Sequence, residues 1–416
     1  MISLQNKEVA SLLSIRGLSI TVQLLTSIIL VNITEIRELG TYYVLYTLSY
    51  IGNCIVFIGY DFVLQKKLRT LSDGYSIDYT RFILASTKVI PIGFALVSMF
   101  AIIYLYSLSS LNYLMVSLLC GASAVNNYIL TLFRHVLLVG AKKRAYASSF
   151  LVESLMRVSF VMIFFKINGN IITGADILLA FLVSYLLTSI VFLVFIFKSF
   201  VNVGFGAIDN FDVTRQEITR VLIPVGIGSV VYLIHLQGYR PLLGFISPNN
   251  LELVGIISFL TTLGATACNS ILTIVSQYWV PRQFLSGGQK TAEYNKTLIL
   301  FLVPLVAVSW PFGYVFIYLL GKPIFYGHSI IISFGVAIEG CSFILSSLGA
   351  NANLKFGDYY HVLMAGLLGL MFSLVFFSTH AMLFEITTIS ICTSILLGQI
   401  IVVLHIYKRE KKRRDA

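Results

Sequence analysis

The 416-residue chain is 57% hydrophobic and only 11% charged, with a mean hydropathy of +0.89. A soluble domain carries about 25% charged residues, so this chain cannot cover a water-facing surface of ordinary size, and the bilayer is its natural solvent. Its net charge of +11 sits in short Lys/Arg islands between long apolar runs; that is the pattern of membrane loops, and it argues against a nucleic-acid partner.

A spanning helix needs about 20 mostly apolar residues. Lys7 and Arg16 precede a first run at about 10–32, which has no small-residue cleavage site after it and reads as a retained helix. Further spans follow at about 40–64, 82–106, 112–139, 146–167 and 175–197. A polar stretch at about 198–217, with Asn202, Gly204, Gly206, Asp209, Asn210 and Asp212, has the composition of a linker. Six more spans lie at about 218–239, 251–280, 297–320, 327–350, 359–380 and 383–406. The expected fold is an all-α polytopic membrane protein of about twelve helices in two six-helix lobes around a central cavity. The N-terminal lobe is 1–200, the linker 201–217 and the C-terminal lobe 218–416.

Charge fixes an orientation. With the first residue inside, cytoplasmic segments hold 21 of the 29 Lys and Arg, external loops hold three (Arg37, Arg240 and Lys322), and five lie within spans. This bias places both ends in the cytoplasm of a bacterial inner membrane. The halves also share a weak motif: Leu39-Gly40-Thr41 with Thr47-Leu48 matches Val254-Gly255-Ile256 with Thr262-Leu263 at the same offset. A parallel repeat about an axis along the membrane normal would place them so. Pro91, Pro224, Pro304 and Pro311 fall inside expected spans, where a missing N–H tends to kink a helix.

A charge at the bilayer centre costs at least about 2.5–3.5 kcal/mol, so ionisable groups within spans are functional candidates. Arg16, Lys88, Arg134, Arg157 and Lys166 all belong to the first half. Arg157 is the deepest. Glu153 stands one turn before it, either as a neutralising structural partner or as an ion-coupling group. Arg16 and Lys88 lie about two turns in from the cytoplasmic end, where a long side chain either lines a cavity or snorkels. Arg134 and Lys166 are nearer helix ends, and snorkelling is expected of them. A wet cavity lined by these cations would attract an anion, and a diphosphate suits the guanidinium fork. Asp61, Glu153 and Glu339 are the carboxylates within spans, and Glu339 has no basic partner on its own helix. These are the candidates for coupling to an H+ or Na+ gradient. His235 reads as a hydrogen-bonded core residue.

No catalytic arrangement, phosphate loop or metal-ligand spacing is present, and the five cysteines read as small apolar helix residues. No cofactor or metal is expected. External loops of about ten residues leave little room for a catalytic domain.

The motifs together resemble the bacterial polysaccharide flippases, the O-antigen repeat-unit translocases of the multidrug/oligosaccharidyl-lipid/polysaccharide exporter superfamily. The likeness rests on Arg16-Gly17 in the first helix, Leu39-Gly40-Thr41-Tyr42-Tyr43 opening the second, and Gly59-Tyr60-Asp61-Phe62-Val63-Leu64 before a basic loop. Pro224, Val254-Gly255-Ile256, Val280-Pro281-Arg282 and Gly321-Lys322-Pro323-Ile324-Phe325 extend it along the chain. Tyr239-Arg240 stands where members often carry Asp-Arg, so a coupling acid there does not carry over. The resemblance implies export of a polyprenyl-diphosphate-linked glycan from the inner to the outer leaflet. Arg16 is the first choice for a diphosphate contact, with Lys88, Arg157 and Arg240 following. The implied partners are that glycan lipid, membrane lipids, a polysaccharide polymerase and a chain-length regulator. The alternatives are a multidrug or cation antiporter of the same superfamily and, from another class, a membrane polysaccharide polymerase.

Overall fold

A computed structural model describes residues 2–54, 57, 86–107, 112–139, 143–200, 214–356, 359–383 and 386–414. All regular structure among these residues is helical. Twelve long helices follow in order: α1 (Ile2–Ile33), α2 (Ile36–Asn53), α3 (Ile90–Ser107), α4 (Tyr113–Val139), α5 (Lys143–Ile167), α6 (Gly174–Phe200), α7 (Ile223–Gln237), α8 (Leu251–Leu285), α9 (Thr291–Leu320), α10 (Ile330–Phe356), α11 (Tyr359–Leu383) and α12 (Thr388–Arg414). The expected count of twelve stands, although most of the helices are longer than the apolar runs that announced them and α2, α3 and α7 are shorter. Nine of them, among the described residues, are long and apolar enough to cross a bilayer, and α3 is a shorter apolar helix. The other two fall short for identifiable reasons. α2 is described as a helix only to Asn53, so most of its expected second half, Asp61 included, lies outside the described residues. α5 carries Lys143, Arg144, Glu153, Arg157 and Lys166.

Of the expected linker, residues 201–213 also lie outside the described residues. Beyond them a helical turn, Arg215–Glu217, opens with a capping box: the Thr214 side chain accepts from the Glu217 N–H, and the Glu217 carboxylate accepts from the Thr214 N–H at 2.8 Å. A π-helical turn, Ile218–Leu222, leads into α7. Ile223 N–H reaches back five residues to the Ile218 carbonyl, and α spacing resumes with Pro224 in the first turn. Pro91 likewise occupies the first turn of α3. A proline costs little at the start of α3 because its N–H would have no partner, whereas Pro224 lies inside the continuous helical run Arg215–Gln237, directly after the π turn that alters the spacing ahead of it. Pro304 and Pro311 are true interior prolines of α9.

The chain divides into two compact units, Met1–Val230 and Val231–Ala416, with the division inside α7. In the first, α3 packs on α4, α5 on α6, α4 on α6, α2 on α4, and α1 on α5. In the second, α9 packs on α10, α11 on α12, α10 on α12, and α8 on α10. The remaining equivalent pair is α7 and α11: His235 Nε2 lies 2.8 Å from Ser373 Oγ and 3.1 Å from the Ile395 carbonyl of α12. The same pairings thus recur after six helices, which is the internal repeat that the paired Leu-Gly and Val-Gly motifs suggested. Leu39 and Val254 are both fully buried, as are Leu48 and Leu263.

The closest helix contact of the second unit is the crossing of α8 and α10. A methyl group at Gly264 would lie 2.1 Å from the Ile332 carbonyl oxygen, and one at Gly335 would lie 2.4 Å from that of Thr261. Neither helix can carry a side chain here, because backbone meets backbone, the usual device for holding helices together in lipid. Gly264→Val or Gly335→Val is therefore expected to cost about 1–3 kcal/mol or more through overpacking, seen as a lowered melting temperature of the detergent-purified protein. Gly17→Ala, at a position with nothing within 4 Å of an added Cβ, should leave the melt within a degree or two; an equal loss there would refute the packing argument.

Candidate functional site

The polar interior of the first unit is organised by α5. Ser149, Glu153 and Arg157 recur every fourth residue and share one face. Glu153 is 4% exposed and pairs with two guanidiniums at once, those of Arg157 on its own helix and Arg134 on α4. Arg134 also donates from Nε to Ser149 Oγ at 3.0 Å, and Arg157 donates to the Tyr185 hydroxyl of α6 at 2.7 Å. One carboxylate thus ties α4, α5 and, through Arg157, α6. Burying an ion pair is a gain only when the geometry is good and further hydrogen bonds satisfy the remaining donors. Here Ser149 and the Tyr185 hydroxyl supply part of them and the rings of Phe181 and Tyr185, 4.8 and 4.9 Å from the Arg157 guanidinium carbon, offer their faces, while the Arg157 Nε is buried without an acceptor.

Arg16 on α1 extends the cluster. Its guanidinium carbon lies 3.7 Å from the Phe150 ring centre, and that of Arg134 lies 3.7 Å from the same ring. Phe150 therefore carries two cations. The Arg16 Nε is buried with no hydrogen-bond acceptor. Three arginines against one glutamate leave this interior positively charged. Beside them, Ser154 lies 3.2 Å from Ser19 Oγ and accepts from Gln23 Nε2 at 3.1 Å, fastening α1 to α5.

The sequence-predicted candidates separate accordingly. Arg16, Glu153 and Arg157 come together. Arg134 joins them instead of snorkelling, because Glu153 on the facing helix offers it a charge. Lys88 lies in a turn before α3 and is exposed, not inside a continuous span. Arg240 is buried, at 6% exposure, in a two-turn helix Tyr239–Ile246, and donates to Gln237 Oε1 at 2.9 Å and the Tyr239 hydroxyl at 3.3 Å. Asp61 lies outside the described residues. Glu339 of α10, in the second unit, accepts from Asn269 Nδ2 of α8 at 3.2 Å, while Asn269 Oδ1 accepts from Thr273 at 2.7 Å. Tyr232, Ser342 and Gln399 form a second polar knot in that unit, where Tyr232 donates to Ser342 and Gln399 approaches both at 3.4 Å. Phe150 and Tyr185 were not expected from the sequence; Phe150 stands one turn before Glu153 on the same helix, and no charged residue lies within a turn of Tyr185.

No protein-family model and no curated protein matches the chain. Solved structures do. A mutant of the Vibrio cholerae MATE transporter VcmN aligns over 99% of this chain and 96% of its own, with a TM-score of 0.63 and 13% identity. The chain has the fold of a MATE transporter. An inward-facing multidrug resistance MATE family transporter of the MOP superfamily aligns with a TM-score of 0.60 at 12% identity, over 96% of this chain and 94% of its own. An outward-facing one aligns with a TM-score of 0.55, also at 12% identity, over 97% and 94%.

The bracket on Glu153 generates a test. Glu153→Ala leaves the guanidiniums of Arg134 and Arg157 buried without their anion, which should cost about 3–5 kcal/mol. Leucine at all three positions removes the charges together and should restore most of that stability. Thermal unfolding of the three purified proteins checks this, and an unchanged melt for Glu153→Ala would show that the bracket holds nothing.

Proposed function

We propose that the chain is a secondary transporter of the MOP superfamily that exports its substrate by alternating access. Likeness along almost the whole chain to MATE transporters in both inward-facing and outward-facing states supports this reading. The orientation in a bacterial inner membrane with cytoplasmic ends rests on the bias of 21 Lys and Arg against three. Among substrates, a multidrug-type organic cation exchanged for H+ or Na+ has the better support, since the structural relatives are multidrug transporters. The observation that carries it is Glu339, a half-buried carboxylate that accepts from the Asn269 amide and, among the described residues, forms no ion pair. Such a group can be neutralised by a proton or an organic cation in turn, which is what exchange requires.

One observation favours the second reading, translocation of a polyprenyl-diphosphate-linked glycan. The first unit sets three part-buried arginines against a single carboxylate, and this field repels cations while suiting a diphosphate. In that reading Arg16 and Arg157 contact the anion, Lys88 and Arg240 are the further candidates, and polymerase and chain-length proteins are the partners.

Two assays separate the readings. In proteoliposomes with an imposed pH or Na+ gradient, uptake of a fluorescent organic cation that falls at least tenfold in Glu339→Gln supports exchange. In cells, loss of the gene that accumulates lipid-linked repeat unit on the inner leaflet, cured by the wild type and not by Arg16→Ala or Arg157→Ala, supports the flippase. Neither activity in folded, membrane-inserted protein removes the transport reading altogether.

A further inference from the structure

The end of α8, the start of α9 and the end of α12 meet at one end of the second unit. The Trp279 and Tyr294 rings stack at 18° with centres 6.4 Å apart, and the Tyr294 hydroxyl lies 2.7 Å from Ser276 Oγ. Tyr294 is buried in one cluster with Val402 and Ile406 of α12. Charge around this cluster has one sign. Arg282, Lys290, Lys296, Lys408 and Arg409 are exposed here. Glu293, paired with Lys290 at 2.9 Å, is the single acid among the side chains described at this end. At the opposite end of the unit the described Lys and Arg are Lys322 and the buried Arg240, with Glu252 against them.

α12 does not stop where its apolar run ends. Its spanning stretch is Thr388–Arg409, and the helix continues to Arg414. Lys408, Arg409, Lys411, Lys412, Arg413 and Arg414, with Glu410 among them, fill about two turns. Rising about 1.5 Å per residue, this segment climbs only about 9 Å, close to the Debye length of about 8 Å at physiological salt. The whole run therefore stays within the field of the bilayer surface. Arg282 adds a shaped contact. Its guanidinium carbon lies 3.6 Å from the centre of the Tyr278 ring and 6.0 Å from that of Trp279, and among the described residues it forms no ion pair. Stacking on one face leaves the planar N–H edge open to a forked acceptor, and phosphate is one. Exposed Tyr278, Leu404 and Tyr407 mark the level where hydrocarbon gives way to headgroups. An anion that reaches Arg282 stands at that level, whereas an acidic protein or a nucleic acid in water would reach only the last turns of α12.

We propose that this end of the second unit is a docking surface for anionic phospholipid headgroups. Arg282, stacked on Tyr278, holds a phosphate, and the basic end of α12 concentrates such lipids beside it. The orientation proposed above makes this the cytoplasmic leaflet. The surface involves neither Glu339 nor the arginines of the first unit, so it stands whichever substrate is exported.

Tryptophan quenching tests it on the full chain in bilayers of mixed phosphatidylglycerol and phosphatidylcholine, with one lipid or the other dibrominated. The chain has two tryptophans. Trp310→Phe leaves Trp279 beside the proposed surface, and Trp279→Phe leaves Trp310, exposed toward the other end of α9, as the reference. The expected result is at least a threefold preference for phosphatidylglycerol at Trp279 and none at Trp310. In the Trp310→Phe background, Arg282→Gln lowers that preference at least twofold, and Arg282→Lys, which keeps the charge without the fork, lowers it less. Joint Lys411→Gln, Lys412→Gln, Arg413→Gln and Arg414→Gln lowers it as well, as does high salt. Lys408 and Arg409 are kept in that variant to hold the orientation of α12, and Arg282→Gln carries the test alone where it fails to insert. Equal quenching by both lipids at Trp279, the same preference at Trp310, or a preference unchanged in Arg282→Gln overturns the proposal. No lipid preference together with saturable binding of polyglutamate to the proteoliposomes overturns it in favour of an acidic soluble partner.

Discussion

The polar architecture of the first unit depends on one carboxylate. Glu153 is buried between two guanidiniums, and without it the interior faces of α4, α5 and α6 would set like charges against each other in a medium that screens poorly. Exposed ion pairs are worth little because water competes for both partners. Here water is excluded, so the pair is an obligation: each member makes the other tolerable. That explains why α5 has too much charge to pass as a membrane span by composition and still takes its place in the bundle. Its Glu153 is spent on Arg134 and Arg157, its Arg157 also on Tyr185 and the face of Phe181, and its Arg144 and Lys166 are exposed.

The fold was legible in the sequence because its governing quantity is local. Twenty apolar residues span a bilayer wherever they occur, and Lys/Arg islands mark the loops without regard to tertiary structure. The repeat was legible only faintly, through Leu39-Gly40 and Val254-Gly255, yet the helix pairings repeat plainly. Packing in lipid is set by which faces bear small residues, and Gly264 against Gly335 can be recognised only once the helices are brought together. Of the prolines, Pro91 misleads for a related reason: hydropathy places it inside a span, while regular α spacing begins at Ile90, so its ring falls where no hydrogen bond is lost. Pro224 does lie inside one helical run, Arg215–Gln237.

The candidate site was half legible. Its residue types could be listed from depth alone, and Glu153 with Arg157 could be paired because an i,i+4 relation is written in the chain. Arg134 could not be assigned, since its partner lies nineteen positions away on another helix and only the α4–α5 packing reveals it. For Lys88 the sequence left cavity lining and snorkelling open, and the structure places it exposed in the turn before α3.

The two units share a pattern of pairing but not a pattern of charge, and that difference bears on mechanism. A common scaffold can evolve divergent interiors because helix packing is decided by small and apolar residues, while charged side chains are placed between them at a cost each unit meets separately. In the first unit the cost is met by mutual pairing around Glu153, with an excess of positive charge and Arg16 Nε left unsatisfied. In the second, Glu339 has an amide for a partner instead of a cation. A carboxylate held by a neutral donor keeps its capacity to exchange a proton or bind a cation, whereas one clamped between two arginines has lost it. Glu153 is therefore poorly suited to ion coupling despite its depth, and Glu339, the less buried of the two, keeps the freedom that coupling needs.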